Sequence, residues 1–347
     1  MNKNYMVSLI AVITLFLIAY VGTQQGAGLQ MVFGIIVPYL AIILFIVGFA
    51  RRVMGWARSA VPFRITTTCG QQPSLPWFKQ AKIDNPSCTL GVVARMFLEI
   101  VCFRSLFRNT RMKLKGGPHL TYQLELFLWI GALAFHYAFF TVVLRHLRFF
   151  TEPVPFFVTI LENVDGFMRM EVLYDAVQQG LPGVYMSGLV LLAAALYLFL
   201  RRVMIPQVRY ISLAADFFPL FLIMGIALSG IFMRYLSKVD IVAIKELTMG
   251  LVTFRPTIPE GISGLFFAHL FLVSVLLAYF PFSKLMHLGG IFLSPTRNMT
   301  GNTRQVRHVN PWNYPVKVHT YEEYEDDFRE KMVEAGLPVV KMPEEQA

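Results

Sequence analysis

Six runs of roughly 18 or more apolar residues, at about 5–22, 31–50, 124–146, 184–200, 211–236 and 263–283, decide what this chain of 347 residues can fold into. Hydrophobic residues make up 56% of the sequence and charged residues 15%, more apolar surface than a soluble interior of this size can hide. Lipid must take the remainder, and a spanning segment must satisfy its backbone polar groups internally, so each run predicts a helix. The expected class is an all-α integral membrane protein with about six transmembrane helices. The first run follows a lysine and precedes small residues, as a secretory signal does. A second run begins within about ten residues with no A-x-A-like site between, which favours an uncleaved anchor.

The loops set the direction. Segment 51–123 carries twelve Lys or Arg against two acids, and 201–210 adds Arg201, Arg202 and Arg209 with no acid. On the opposite side, 23–30 has no charge, 147–183 has two basic residues against five acids, and 237–262 balances three against three. Positive loops stay in the cytoplasm, so both termini are expected there, in a multi-pass protein of the inner (cytoplasmic) membrane. Lys284, Arg297, Arg304 and Arg307 after the last run agree.

A net charge of +10 suggests nucleic acid in a soluble protein; here it reflects basic loops, and nucleic acid is not an expected partner. Cys69, Cys88 and Cys102 form neither C-x-x-C nor C-x-x-C-H, which argues against an iron–sulfur site of the usual spacing and a covalently attached haem. They fall in the long cytoplasmic loop, where reduced, structurally silent thiols are expected. With no G-x-G-x-x-G, P-loop or H-E-x-x-H either, chemistry must come from something bound.

Four regions result: two N-terminal spans (1–50), a basic cytoplasmic loop (51–123), a four-helix unit (124–290) and a cytoplasmic tail (291–347). Within the loop, 91–107 interleaves Phe97, Leu98, Ile100, Val101 and Phe103 with Arg95, Glu99 and Arg104, the pattern of a helix lying on lipid. In the tail, aromatic residues of 310–315 precede an acidic stretch (Glu322, Glu323, Glu325, Asp326, Asp327) that reads as a solvated appendage or a docking segment.

Four of the seven histidines lie in or at the ends of two spans: His136 and His146 in the third, His269 and His287 in the sixth. One intramembrane histidine is as readily an interhelical hydrogen bond as a functional group. Four on two helices are harder to explain that way. His269 and His287 are 18 residues apart, five complete turns and roughly 27 Å; His136 and His146 are 10 apart, about 15 Å. With the two spans antiparallel, His146 faces His269 near the outer surface and His136 faces His287 near the inner one. Two histidine pairs at two depths are what two bis-imidazole haem b groups require. The difference of about 12 Å must be absorbed by tilt, by slanted ligation, or by His287 lying beyond the regular helix, with Pro281 and Gly289-Gly290 supplying bends. A single tetrahedral zinc site does not fit ligands so far apart. Arg145 and Arg148 flank the outer histidine and Lys284 precedes the inner one, cations suited to haem propionates or simply to a membrane edge.

The segment from His269 through Phe280-Pro281-Phe282-Ser283-Lys284-Leu285-Met286-His287 resembles the final helix of the respiratory nitrate reductase gamma subunit family, whose histidine spacings of 10 and 18 recur here in the same order. That resemblance covers roughly 124–290 and implies a di-haem b helical bundle ligated by His136, His146, His269 and His287. The extra N-terminal span, the 51–123 loop and the tail exceed the pattern. Cys69-Gly70-Gln71-Gln72-Pro73-Ser74-Leu75-Pro76-Trp77 and Asp84-Asn85-Pro86-Ser87 are similar to the DsrM branch of that superfamily, to which the heterodisulfide reductase cytochrome subunit is related. This implies sulfur-compound respiration in a DsrMKJOP-type complex, with a DsrK-like cytoplasmic iron–sulfur subunit as electron partner. It also implies a pocket for menaquinone or another quinone beside the outer haem, with His146 in its wall; Arg148, Glu152 and the pairs Phe149-Phe150 and Phe156-Phe157 are candidates, though such aromatics are also ordinary belt residues. The competing class is a scaffold or transport subunit with structural or proton-relaying histidines, against which the chain shows no internal repeat or broken mid-bilayer span.

Overall fold

The computed structural model describes residues 4–59, 61, 63–65, 70–117, 119–167, 170–174, 177–181, 184–306 and 319–341. Cys69, Arg307 and the aromatic 310–315 segment lie outside them. Among the described residues, six helices are long and apolar enough to cross a membrane: Asn4–Gln25, Ala27–Arg58, Leu126–Phe149, Met186–Met204, Ala214–Tyr235 and Gly264–Phe282. Each contains or closely matches an expected apolar run. The second is longer than the run at both ends. It starts through a π-helical turn at Val32–Ile36 and ends through Arg51, Arg52 and Arg58, because helical hydrogen bonding continues where the apolar side chains stop.

The third span packs along the fourth, the fourth along the fifth, and the fifth along the sixth. The first span fills the groove between the fifth and sixth, with Val12 and Ala19 buried there, and the second lies along the sixth. Polar pins fix the depth of the first span: Asn4 Nδ2 donates to the Ser212 carbonyl (3.0 Å) and Ser8 Oγ to that of Ala214 (2.8 Å). The core between the first, fourth, fifth and sixth spans is built on Phe217, Phe221, Leu222 and Leu272.

The third and fourth spans meet closely at Gly131, where an added Cβ would stand 2.6 Å from the Tyr197 ring. Gly131→Ala is therefore expected to destabilise the helix pair by about 1–3 kcal/mol, read as a lower melting temperature in detergent. An unchanged melting temperature would show that the ring moves aside at no cost.

The expectation of an all-helical chain needs correction. Among the described residues three two-stranded antiparallel ladders occur: Thr110–Lys115 with His119–Leu124, Gly166–Phe167 with Val184–Tyr185, and Met170–Tyr174 with Val177–Leu181. The first was legible as a two-residue alternation of Met112, Leu114, Leu120, Tyr122 and Leu124 around Gly116-Gly117. Gly117 has φ +83°, a turn conformation that suits glycine.

At the His136/His287 end, residues 70–88 and 294–306 join into a polar cap. Gly301 N donates to the Pro86 carbonyl (2.7 Å), Gln72 Nε2 to Thr303 Oγ1 (3.0 Å), and Asn85 Nδ2 to the Gly70 carbonyl (3.1 Å). Burial raises the pKa of Asp84, but hydrogen bonds from Arg108 and Arg104 outweigh it and hold the carboxyl below its ordinary value. The tail carries a helix at Tyr321–Glu334 with a capping box between Thr320 and Glu323. The chain folds back on it, and amides of Val340 and Lys341 donate to Glu325, keeping that carboxyl below its ordinary range. Cys88 and Cys102 are free thiols.

Candidate functional site: two histidine pairs between the third and sixth spans

The third and sixth spans face each other through their histidines. The His136 and His287 ring centroids are 5.9 Å apart, with planes at 82°; those of His146 and His269 are 6.5 Å apart at 16°. These are the two pairs that antiparallel spans imply. The 18-residue spacing is accommodated by the third of the ways open to it. The regular helix stops at Tyr279, and Phe280–Phe282 is a 3-10 turn containing Pro281. Ser283 is extended, Lys284–Met286 is a second 3-10 turn, and His287 opens a separate short helix, His287–Leu293. Proline removes an amide donor and disfavours a helical residue before it, so the break falls where the sequence places Pro281.

Carbonyl acceptors fix the tautomer at three of the four imidazoles, and the serine hydroxyl at the fourth is compatible with the same one. His136 Nδ1 lies 2.8 Å from the Ala132 carbonyl oxygen, His146 Nδ1 2.6 Å from that of Val142, and His287 Nδ1 2.8 Å from that of Lys284. A carbonyl only accepts, so each Nδ1 bears the proton. His269 Nδ1 lies 2.8 Å from Ser229 Oγ, whose own proton goes to the Gly225 carbonyl at 2.8 Å. The hydroxyl can thus accept from His269. Every Nε2 keeps its lone pair, the arrangement by which a second shell orients imidazole as a metal ligand. Two imidazoles sharing one metal at about 2 Å per bond, with ring radii of about 1.2 Å, have centroids about 6.4 Å apart. The two observed separations bracket that value, so the donor sets fit two six-coordinate, bis-histidine metal centres.

The flanking arginines divide. Arg148 Nη1 pairs with Glu162 at 2.7 Å and stays partly exposed. Arg145 turns into the protein: its Nε lies 2.9 Å from Asp165 and its Nη2 donates to Ser187 Oγ at 3.0 Å. Asp165 in turn accepts from the Ser187 amide (2.7 Å) and hydroxyl (2.6 Å) at the start of the fourth span. Arg145 therefore joins the third span, the Phe156–Asp165 helix and the fourth span, its charge neutralised by Asp165. Lys284 pairs with Asp216 at 2.6 Å. Glu152 pairs with Lys245, and Thr248 Oγ1 donates to the Phe149 carbonyl at 2.6 Å, laying the Ile241–Val252 helix over the His146/His269 end.

Two residues reach the sites without a sequence signal for that role. Phe103 adopts a left-handed conformation (φ +50°), and its ring meets His136 edge-on at 4.9 Å. It sits at the tip of the Thr89–Cys102 helix, which is tied to the third span by Trp129 Nε1 donating to the Cys102 carbonyl (2.7 Å) and Tyr137 OH to that of Val101 (2.9 Å). That helix buries Arg95 and Glu99 against the cap and exposes Leu90, Val93 and Phe97. Phe103 caps that helix, its amide donating to the Leu98 carbonyl, and this cap brings its ring to His136. The other is Arg234, beside Tyr185 near the His146/His269 end.

The description "Nitrate reductase gamma subunit" matches residues 105–308, a stretch that holds all four histidines. The chain is 44% identical over 290 residues to the Hdr-like menaquinol oxidoreductase cytochrome b-like subunit of Archaeoglobus fulgidus, an alignment covering 82% of this chain and 84% of the relative. It is 40% identical over 283 residues to the protein of the same description in Archaeoglobus profundus, with 80% and 81% covered. These alignments are much longer than the family match. The chain belongs to the nitrate reductase gamma subunit family.

Proposed function

We propose that this chain is a quinol-linked membrane cytochrome b subunit that exchanges electrons between the quinone pool and a cytoplasmic iron–sulfur partner through two bis-histidine b haems. His146 and His269 hold one haem, and His136 and His287 the other. The observation that carries the reading is the shared tautomer: four imidazoles in two pairs, each with Nδ1 anchored and Nε2 available. Bound haem supplies a one-electron couple with both axial positions filled, suited to electron transfer rather than oxygen chemistry.

The basic loops place the His136/His287 end at the cytoplasm, with both termini. The quinone site would then lie at the outer end, walled by His146, Phe149 and the Phe156–Asp165 helix, where Arg148 and Arg145, each paired with a carboxylate, would supply positive charge beside a bound haem. Menaquinol is the expected reductant, since the relatives are named for it. A DsrK-like iron–sulfur subunit of a DsrMKJOP-type complex would meet the inner end, where the polar cap and the tail helix offer docking surfaces; the likeness of the 69–87 segment to the DsrM branch supports this reading and a role in sulfur-compound respiration. Each electron moved inward goes against the inside-negative membrane potential and so adds to it, at about 2.3 kcal/mol per charge per 100 mV.

A dithionite-reduced minus oxidised spectrum of the purified chain tests the reading directly. Two b haems per chain are expected; a folded protein without b-haem bands supports instead a scaffold with structural histidines.

A further inference from the structure

Arg234, one residue from the end of the fifth span, has no carboxylate beside it among the described residues. Its guanidinium carbon lies 4.0 Å from the Tyr185 ring centroid, and that of Arg145 lies 3.8 Å from the same ring. Tyr185 is held in place as its amide donates to Tyr235 OH at 2.8 Å. Two guanidinium groups thus gather at one ring, and Asp165, the carboxylate at hand, is taken by Arg145. Among the described residues Arg234 forms no ion pair, and its Nε is buried without a hydrogen-bond partner. An uncompensated cation at the end of a spanning helix is costly unless an anion meets it.

The position indicates which anion. The fifth span touches the His146/His269 pair from the side: Ser229 Oγ holds His269 Nδ1, and a Cβ at Gly230 would lie 3.4 Å from His269 Cε1. Arg234 is four residues beyond Gly230, one turn and about 6 Å toward the end of the bundle on the same helix face. Arg145, its neighbour across Tyr185, adjoins His146 in sequence. A carboxylate group reaching from a haem on that histidine pair toward the bundle end comes within range of this guanidinium.

We propose that Arg234 is the counter-ion of a propionate of the haem held by His146 and His269, and that its charge raises the reduction potential of that haem. The assignment rests on the di-haem reading above. Ferric b haem carries one more positive charge than ferrous, so a nearby cation disfavours the oxidised form, strongly where water is scarce. Arginine offers the planar, bidentate geometry a carboxylate takes.

The test is a potentiometric titration of the full chain with its haems, as wild type, Arg234→Gln and Arg234→Lys. The glutamine variant is expected to shift the ferrous/ferric equilibrium of one haem about tenfold toward ferric, a fall of about 59 mV for a one-electron couple, and to leave the other haem unmoved. Lysine keeps the charge and is expected to restore most of the potential. In a His269→Ala background, Arg234→Gln should leave the remaining midpoint unchanged. Unmoved midpoints in Arg234→Gln with both haems present overturn the assignment, as do equal shifts in the lysine and glutamine variants, which would mark a packing role. If the glutamine variant does not assemble, resonance Raman of the propionate bending mode decides: the same frequency in wild type and Arg234→Lys overturns the proposal. A wild type without b haem removes the parent reading as well, whereas two haems insensitive to residue 234 remove this assignment alone.

Discussion

If each histidine pair holds a b haem as proposed, His269→Ala is expected to abolish one haem and spare the other. His269 and His146 stand as one pair, and His136 and His287 as another near the far end of the same spans. Without His269, a haem would be held by His146 alone and should not survive purification. Haem extracted per chain should fall from two to one, and the surviving centre should keep its wild-type midpoint. His136→Ala should produce the complementary loss. If His269→Ala folds and loses neither haem, or if the same haem disappears in both variants, the pairing is wrong. Alanine also removes the partner of Ser229, but that hydroxyl remains bonded to the Gly225 carbonyl, so a change in helix packing is not expected to confuse the result.

Arg145→Ala should be the most damaging change away from the ligands. The side chains of Arg145 and Asp165 are 10% and 7% exposed, and together with Ser187 they bind three helical elements. Removing the cation leaves a carboxylate buried without its counter-charge, which costs about 3–5 kcal/mol when one member of such a pair is lost. The expected result is a lower yield of folded protein and a lower melting temperature, with preferential loss of the haem beside His146. Asp165→Asn in the same background should recover much of the loss, since the amide oxygen still accepts from Ser187 and no charge is stranded. Equal damage in single and double variants would show that Arg145 acts through its Tyr185 contact rather than the ion pair. Such coupling is what a double-mutant cycle isolates.

Much of this chain was legible before any coordinates. The six spans follow from hydropathy and length, because a bilayer imposes a local requirement on about 20 consecutive residues whatever the neighbours are. The histidine pairs follow from residue spacing and the alternation of span direction, both set by helical rise and chain order. The 91–107 amphipathic pattern marked a real helix, Thr89–Cys102. The hairpin at 110–124 also carries its alternation in the sequence, though the surrounding basic loop is the stronger signal there.

Only the tertiary structure decided the rest. The chain could absorb the unequal histidine spacings by tilt, slanted ligation or a broken helix; the 3-10 turns around Pro281 and the extended Ser283 select the broken helix. Sequence placed Arg145 and Arg148 together beside His146, yet one turns inward to Asp165 and the other pairs with Glu162, because their side chains leave a helix end in different directions. Arg234 and Phe103 were silent, since neither is near a histidine in the chain. Arg234 comes to its place because the fifth span packs beside the sixth, and Phe103 because Trp129 and Tyr137 tie a surface helix to the third. Hydropathy and helical rise are properties of a segment and can be read along it. Which side chain meets which depends on how separate helices face one another, and no single segment encodes that.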